Sequence, residues 1–263
     1  MLRKIRRLFC KGAYARFRES RELSRIYESP RYQAMTTMLL GAPIELIDGK
    51  SFYSSYKEIF HQGIYAFACD NDRPFILDGG SNIGLSVIFF KRLYPNAQII
   101  AFEPDTEICK TLKKNIDAFG FQDVDLVNSA LWISKGEVSF IPDGADGGHV
   151  LRDYENNVSC KVSSVRLVDY LDKNINLLKL DIEGAEVAVM LDAKDYLGNI
   201  DNIFIEYHSF QSSPQRLDEL LHVLRETGFR VQLHTQYSSE QPLLKPSLHA
   251  GMDLQMNIFA YRE

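Results

Sequence analysis

The stretch Phe75-Ile-Leu-Asp-Gly-Gly-Ser-Asn-Ile-Gly84 decides the fold. Phe75, Ile76 and Leu77 are an apolar run that reads as a short buried strand, and it breaks at once into a glycine-rich turn. Beyond the turn, Ile83, Val87 and Phe90 recur at i, i+4 and i+7, the period of a helix with one apolar face. Strand, glycine loop and helix N-terminus together make the ligand-facing edge of an α/β nucleotide site. The spacing is Asp-x-Gly-x-x-x-Gly over Asp78, Gly80 and Gly84, not Gly-x-Gly-x-x-Gly.

That difference is one of charge. A dinucleotide fingerprint leaves the strand end bare so that pyrophosphate can rest on helix N–H groups. Here the Asp78 carboxylate occupies the strand end, which suits a ligand carrying cations. S-adenosylmethionine, with an ammonium, a sulfonium and no phosphate, is such a ligand. A second carboxylate supports the reading: Gln98–Phe102 reads as the next strand and ends at Glu103, 19 residues beyond Gly84. An acid at the end of strand two is placed to accept hydrogen bonds from both hydroxyls of a ribose.

The chain has 263 residues, enough for one large α/β domain with an extension. Its net charge of −5 is unevenly spread. Residues 1–30 hold nine Lys/Arg against three Glu, a net of +6, which leaves −11 for the remainder. So acidic a body argues against a nucleic-acid substrate, whose binding is dominated by phosphate neutralisation. The four cysteines form no Cys-x-x-Cys pair, so neither zinc nor a disulfide framework is expected, and reduced thiols in a cytoplasmic chain are. No apolar run approaches the ~18 residues needed to span a bilayer, and no apolar core follows the basic start to make a secretory signal. Leu2, Ile5, Leu8 and Phe9 give the N-terminus an apolar stripe among cations, the pattern of a helix in peripheral contact with anionic membrane.

The organisation expected is a basic, helical extension over residues 1–47 and a catalytic domain over 48–263, with residues 48–74 as its cap. The aromatic-rich segment 31–74 reads as a helix and a hairpin, with a turn at Asp48-Gly49-Lys50. After Glu103, Pro104 opens a helix with Ile108, Leu112, Ile116 and Phe119 on one face, stopped by Gly120. Strands are expected at Val124–Leu131, Leu177–Leu180 and Ile203–Ile205, with two further β-like runs at Glu137–Ile141 and Cys160–Val165. A helix over Arg216–Thr227 precedes a terminal pair, Phe229–Leu233 and Met256–Tyr261, joined by a long loop at 234–255. The fold class is thus α/β: a Rossmann-like, mostly parallel seven-stranded sheet ending in an antiparallel strand pair.

Chemistry concentrates in a second segment, Leu177-Leu-Lys-Leu-Asp-Ile-Glu-Gly-Ala-Glu186. Lys179, Asp181 and Glu183 share one face of the strand and its exit, and Asp181 falls where strand four should reach the ligand crevice. Ile203-Phe-Ile-Glu-Tyr-His208 repeats the pattern and brings Glu206 and His208 to the neighbouring strand end. Asp181 and His208 are each candidates to orient or deprotonate an acceptor, with Glu206 and Lys179 beside them. Asp181, Glu206 and His208 are also donors that could hold one divalent ion, though no sequence signature commits them to it.

These segments resemble the FkbM family of S-adenosylmethionine-dependent methyltransferases. The resemblance is carried by Ile76–Gly84, by Ile100-Ala-Phe-Glu-Pro104, and above all by the Lys-x-Asp-x-Glu-Gly-x-Glu pattern of Lys179–Glu186, and runs from about Asp48 to His208. It implies a Rossmann-like fold and O-methylation of a hydroxyl on a sugar, glycan or polyketide-like acceptor. Asp78, Gly79, Gly80, Ser81, Asn82 and Gly84 would hold the methionine end of the cofactor, Glu103 with Pro104 the ribose, and Ser129 and Ala130 the adenine. The chain departs from the family where Thr-Leu-Asp is frequent, reading Val165-Arg-Leu-Val-Asp169 instead. Asp181-Ile-Glu-Gly184 replaces the Asn/Asp-Pro-Pro-aromatic sequence of nucleobase amino-methyltransferases, against a base as acceptor. Two rivals are a nicotinamide dehydrogenase, which should carry the missing Gly-x-Gly-x-x-Gly, and a cofactor- or glycan-binding protein without turnover.

Overall fold

The computed structural model describes residues 13–142, 147–150 and 159–262. The main sheet has seven strands: β1 Phe75–Gly79, β2 Gln98–Phe102, β3 Val124–Val127, β4 Leu177–Leu180, β5 Asn202–Phe210, β6 Arg230–Ser238 and β7 Met252–Tyr261. Their spatial order is β3-β2-β1-β4-β5-β7-β6. The pairs from β3 to β5 are parallel, and β7 runs antiparallel to both β5 and β6. The chain order reverses at β1 and β4, so the crevice opens at their carboxyl ends, where Asp78 and Asp181 stand.

Helix Leu85–Leu93 leaves the glycine loop with nearly every residue buried, not merely the expected face. It lies between the sheet and an aromatic cap: Phe60 packs edge-on to Phe89, and Tyr65 and Phe67 lie against Phe90. The next helix begins at Thr106, because the Asp105 side chain accepts the N–H groups of Glu107 and Ile108, and it ends at Gly120 in a left-handed conformation. Pro104 lies two residues outside it.

Several boundaries differ from the sequence reading, each for a local reason. β3 stops at Val127, where the Asn128 side chain turns back to donate to the carbonyls of Glu103 and Pro104. Ala130–Trp132 belongs instead to a separate sheet with Cys160–Arg166, Gly136–Ile141 and His149–Val150. Asp48-Gly49 does not turn a hairpin; Asp48 caps helix Gly49–Tyr56 by accepting from Ser51 N–H. The hairpin of this region lies earlier, Met35–Thr37 against Ile44–Leu46. The expected loop 234–255 is strand at both ends, since β6 runs to Ser238 and β7 starts at Met252.

The apolar stripe Leu2, Ile5, Leu8 and Phe9, expected to contact membrane, lies outside the described residues. The described part of the N-terminal segment is a helix, Ala13–Tyr27, that buries Leu23 and Ile26 in the same cluster as Ile76 and Phe90, while Tyr14 and Phe17 face out. No helix among the described residues is long and apolar enough to cross a membrane. Because Ile26 is wholly buried, Ile26→Ala should cost about 2–5 kcal/mol in urea unfolding. An unchanged midpoint would mean that this helix is no part of the cooperative unit.

Candidate active site

A cleft of about 470 Å³ opens over the ends of β1, β2, β4 and β5. Of the expected cofactor residues, Gly80, Ser81, Asn82, Glu103, Pro104, Ser129 and Ala130 line it, whereas Asp78, Gly79 and Gly84 do not. Asp78 was expected at the ligand but lies fully buried beneath the loop. Its Oδ2 accepts from Ser86 Oγ at 2.5 Å and its Oδ1 is 3.2 Å from Lys179 Nζ.

Lys179 is the hub of this arrangement. Its ammonium donates to the carbonyls of Gly79 and Gly80, both at 2.9 Å, and lies 3.5 Å from Asp181 Oδ2. Burial opposes its charge, but Asp78 and Asp181 outweigh burial and raise its pKa. Gly80 has φ +74, and a Cβ there would come 1.8 Å from the Asp181 carbonyl oxygen, so only glycine lets loop and β4 exit meet.

Glu103 is buried at the end of β2 and accepts one N–H on each oxygen, from Asn82 and from Asp105, both at 2.9 Å. Burial pushes its carboxyl up to about 7 against those two bonds.

Across the cleft, β5 continues past its last parallel pair, Leu180 with Ile205. The overhang, paired only with β7, carries Glu206 and His208 on one face, opposite Asn257 and Gln255. The strand had been expected to stop at Ile205; it runs to Phe210 because β7 supplies the hydrogen bonds that β4 no longer does. Gln255 donates to Glu206. His208 Nδ1 lies 3.0 Å from Glu186 Oε1, while Nε2 is 3.6 Å from Glu183 Oε2 and 4.0 Å from Glu206 Oε1. Burial, then the nearby Asp181 carboxylate, hold Glu206 well above the usual carboxylate range. Burial disfavours the His208 imidazolium, yet Glu183 and Glu186 outweigh it and raise its pKa well above the ordinary value. Asp181 and Glu206 line one edge of the cleft, and His208, which does not line it, stands close behind them.

Three parts of the wall were not found in the sequence. Ser51, Ser55 and Glu58 come from helix Gly49–Tyr56 and the π-helix Lys57–Gln62 that continues it. Phe140 and His149 come from the smaller sheet, and Gln236, Tyr237, His249 and Gln255 from β6, β7 and their connection. Only the aromatic richness of the cap hinted at any of them.

The model of the methyltransferase FkbM domain matches residues 78–231, more than half of the chain. Methyltransferase 1 of Beauveria bassiana is 29% identical over 206 residues, 64% of this chain and 82% of that protein. The 2-O-methyltransferase NoeI of Sinorhizobium fredii is 28% identical over 155 residues, 51% of this chain and 63% of its own. The hexuronic acid methyltransferase AglP of Haloferax volcanii is 27% identical over 135 residues, 50% of this chain and 55% of its own.

The Lys179 hub yields a stability test. Lys179→Met removes the cation from a fully buried Asp78 and from two carbonyls, and should cost about 3–5 kcal/mol in denaturant unfolding. In a double-mutant cycle with Asp78→Asn the two losses should not add; additive losses would show that the pair is not coupled.

Proposed function

The chain belongs to the FkbM family of methyltransferases, and we propose that it transfers the methyl group of S-adenosylmethionine to a hydroxyl of a carbohydrate-like acceptor. The observation that carries this reading is the single cleft joining the glycine loop and Glu103 on one side to Asp181 and Glu206 on the other. Its residues fit the cofactor. Each Glu103 oxygen uses one acceptor position on a backbone N–H and keeps capacity for a ribose hydroxyl. A pyrophosphate is badly served, because Lys179, the one Lys or Arg among the described lining residues, is spent on Gly79, Gly80 and Asp78. That speaks against the dehydrogenase alternative.

When bound, S-adenosylmethionine supplies a methyl group on a sulfonium sulfur, open to attack by an oxygen nucleophile. Glu103 and the backbone of Gly80–Asn82 hold and orient it. The acceptor hydroxyl must shed a proton, and of the expected candidates Asp181 is the best placed to take it. Glu206 also lines the cleft but accepts from Gln255, and His208 is turned onto Glu186 and is not among the lining residues. Acceptor binding falls to Ser55, Gln236, Tyr237 and His249, hydrogen-bonding groups suited to a hydroxyl-rich molecule. The names of NoeI and AglP, a 2-O-methyltransferase and a hexuronic acid methyltransferase, are in keeping with an oxygen on a sugar as acceptor. Glu58, Asp181, Glu183 and Glu206 on this side favour an uncharged sugar over an acidic one.

Label from methyl-tritiated S-adenosylmethionine should appear on at least one acceptor in a panel of neutral glycosides and glycolipids. Asp181→Asn should lower turnover ~10²–10⁴-fold with S-adenosylhomocysteine affinity nearly intact. Cofactor binding without turnover on any acceptor would favour the non-catalytic alternative.

Glu103 makes the cofactor site pH-sensitive. The ionised carboxylate accepts the ribose hydroxyls, so protons compete with the cofactor. Affinity for S-adenosylhomocysteine should therefore fall as pH drops below about 7 and level off above it. Calorimetry across that range should show the limb in the native protein and none in Glu103→Gln, which should bind more weakly by about 1.5–3 kcal/mol at pH 8. A limb that survives the substitution would assign it to another group.

A further inference from the structure

We propose that Asp181, Glu206 and His208 bind one divalent cation of the magnesium or manganese class at the acceptor side of the cleft. One ligand atom from each lies within 4.8 Å of the others. Two oxygens and an imidazole nitrogen are a donor set for hard to borderline ions, with positions left over for water or substrate.

The histidine makes this more than a group of acids. Its side chain is 1% exposed, and its Nδ1 faces Glu186 Oε1, which also accepts the N–H groups of Ile182 and Gly184. Surrounded by donors, that oxygen holds the Nδ1 proton, so Nε2, on the side of Glu206, is the nitrogen whose proton a cation would displace. A carboxylate behind a histidine is the usual means of orienting an imidazole onto a metal. The group nearest Nε2 is the Gln255 amide nitrogen at 3.4 Å, a donor that also holds Glu206 in place.

The spacing agrees. Nε2 stands 4.0 Å from Glu206 Oε1, too far for a hydrogen bond. Two ligands of an ion held at about 2.1 Å are roughly 3.0–4.2 Å apart, a range that includes this value. Charge points the same way. Asp181, Glu186 and Glu206 gather here, and Lys179, the one Lys or Arg among the described residues lining the cleft, is tied to the carbonyls of Gly79 and Gly80 and to Asp78.

The role of the ion, unlike its binding, rests on the methyl-transfer reading. Held on the acceptor oxygen, the cation would lower the pKa of that hydroxyl. The O–H proton passes to the oxygen of Asp181 not used as a ligand and then to water. The acceptor oxygen forms its bond to the methyl carbon as the carbon–sulfur bond breaks, and the electron pair stays on sulfur.

The test is Mn²⁺ binding to the metal-stripped full-length protein, by electron paramagnetic resonance titration without cofactor or acceptor. One Mn²⁺ per chain is expected, with competition by Mg²⁺. Glu206→Gln and Asp181→Asn should weaken binding at least tenfold, and Glu186→Gln, acting through His208, by about 10–100-fold. Glu107→Gln, at an exposed side chain paired with Lys110, should change nothing. Thermal unfolding of each variant separates lost ligation from lost fold, and Asp181→Asn serves if the buried variants do not fold. Absent stoichiometric Mn²⁺ binding, or binding that is equal in Glu206→Gln, Asp181→Asn and the native protein, overturns the proposal. S-adenosylhomocysteine titrated into the same protein separates the two readings. Cofactor binding without Mn²⁺ overturns the metal site alone, and Mn²⁺ binding without cofactor overturns the methyl-transfer reading and leaves the site standing.

Discussion

A single buried ammonium, that of Lys179, fixes how the two halves of the cleft meet. It rises from β4 and is held by two carbonyls of the loop after β1, by Asp78 beneath that loop, and by Asp181 beyond its own strand. A lysine 1% exposed persists only because four acceptors replace its lost hydration. The consequence is geometric. The Gly79–Gly80 backbone cannot shift relative to the exit of β4 without stripping a buried charge of its partners. Gly80 completes the lock, since its missing Cβ is what admits the Asp181 carbonyl. Cofactor loop and acceptor carboxylate are therefore positioned by one interaction.

On the far side the same economy is achieved with a carboxylate. Glu186 opens the helix after β4, where its Oε1 gathers the N–H groups of Ile182 and Gly184 and faces His208 on the β5 overhang. An acid in the first turn is favoured by the helix dipole, and here it also orients a side chain from another strand. The last residue of the Lys-x-Asp-x-Glu-Gly-x-Glu pattern thus lies outside the cleft lining and holds a histidine that stands behind Glu206, which does line it.

What could be read from the sequence was whatever is local. The strand–glycine–helix passage at 75–93, Glu103 at a strand end and the Lys179–Glu186 run each declare themselves within about ten residues. Features that depend on distant partners were misjudged in consistent ways. β5 reads as ending at Ile205 because the polar Glu206 and His208 resemble the end of an apolar strand. β6 was shortened because an edge strand wetted on both faces, with only two of its nine residues even partly covered, shows no alternation. Asp48-Gly49 has the composition of a turn, and only Ser51 at the right distance makes it a cap. Gln255 offers no local signal, because its place beside Glu206 and His208 is set by the register of β7 on β5.

The distribution of charge then has a reason in the proposed reaction. Methyl transfer from a sulfonium to an alkoxide-like oxygen cancels charge, so a negative field at the sulfur would stabilise the ground state more than the transition state and slow the step. In the cofactor half the acids are quenched. Asp78 is out of the cleft and paired with Lys179, and Glu103 is turned onto backbone N–H groups. In the acceptor half Glu58, Asp181, Glu183 and Glu206 line the cleft, and Lys179 is the one Lys or Arg among the described lining residues. There a negative field opposes forming the alkoxide, which makes deprotonation the costly part of the reaction. A cation among these carboxylates would reverse that field at the acceptor oxygen while leaving the sulfur shielded behind the Lys179 lock. The asymmetry between the two halves thus locates the step at which this site most needs positive charge.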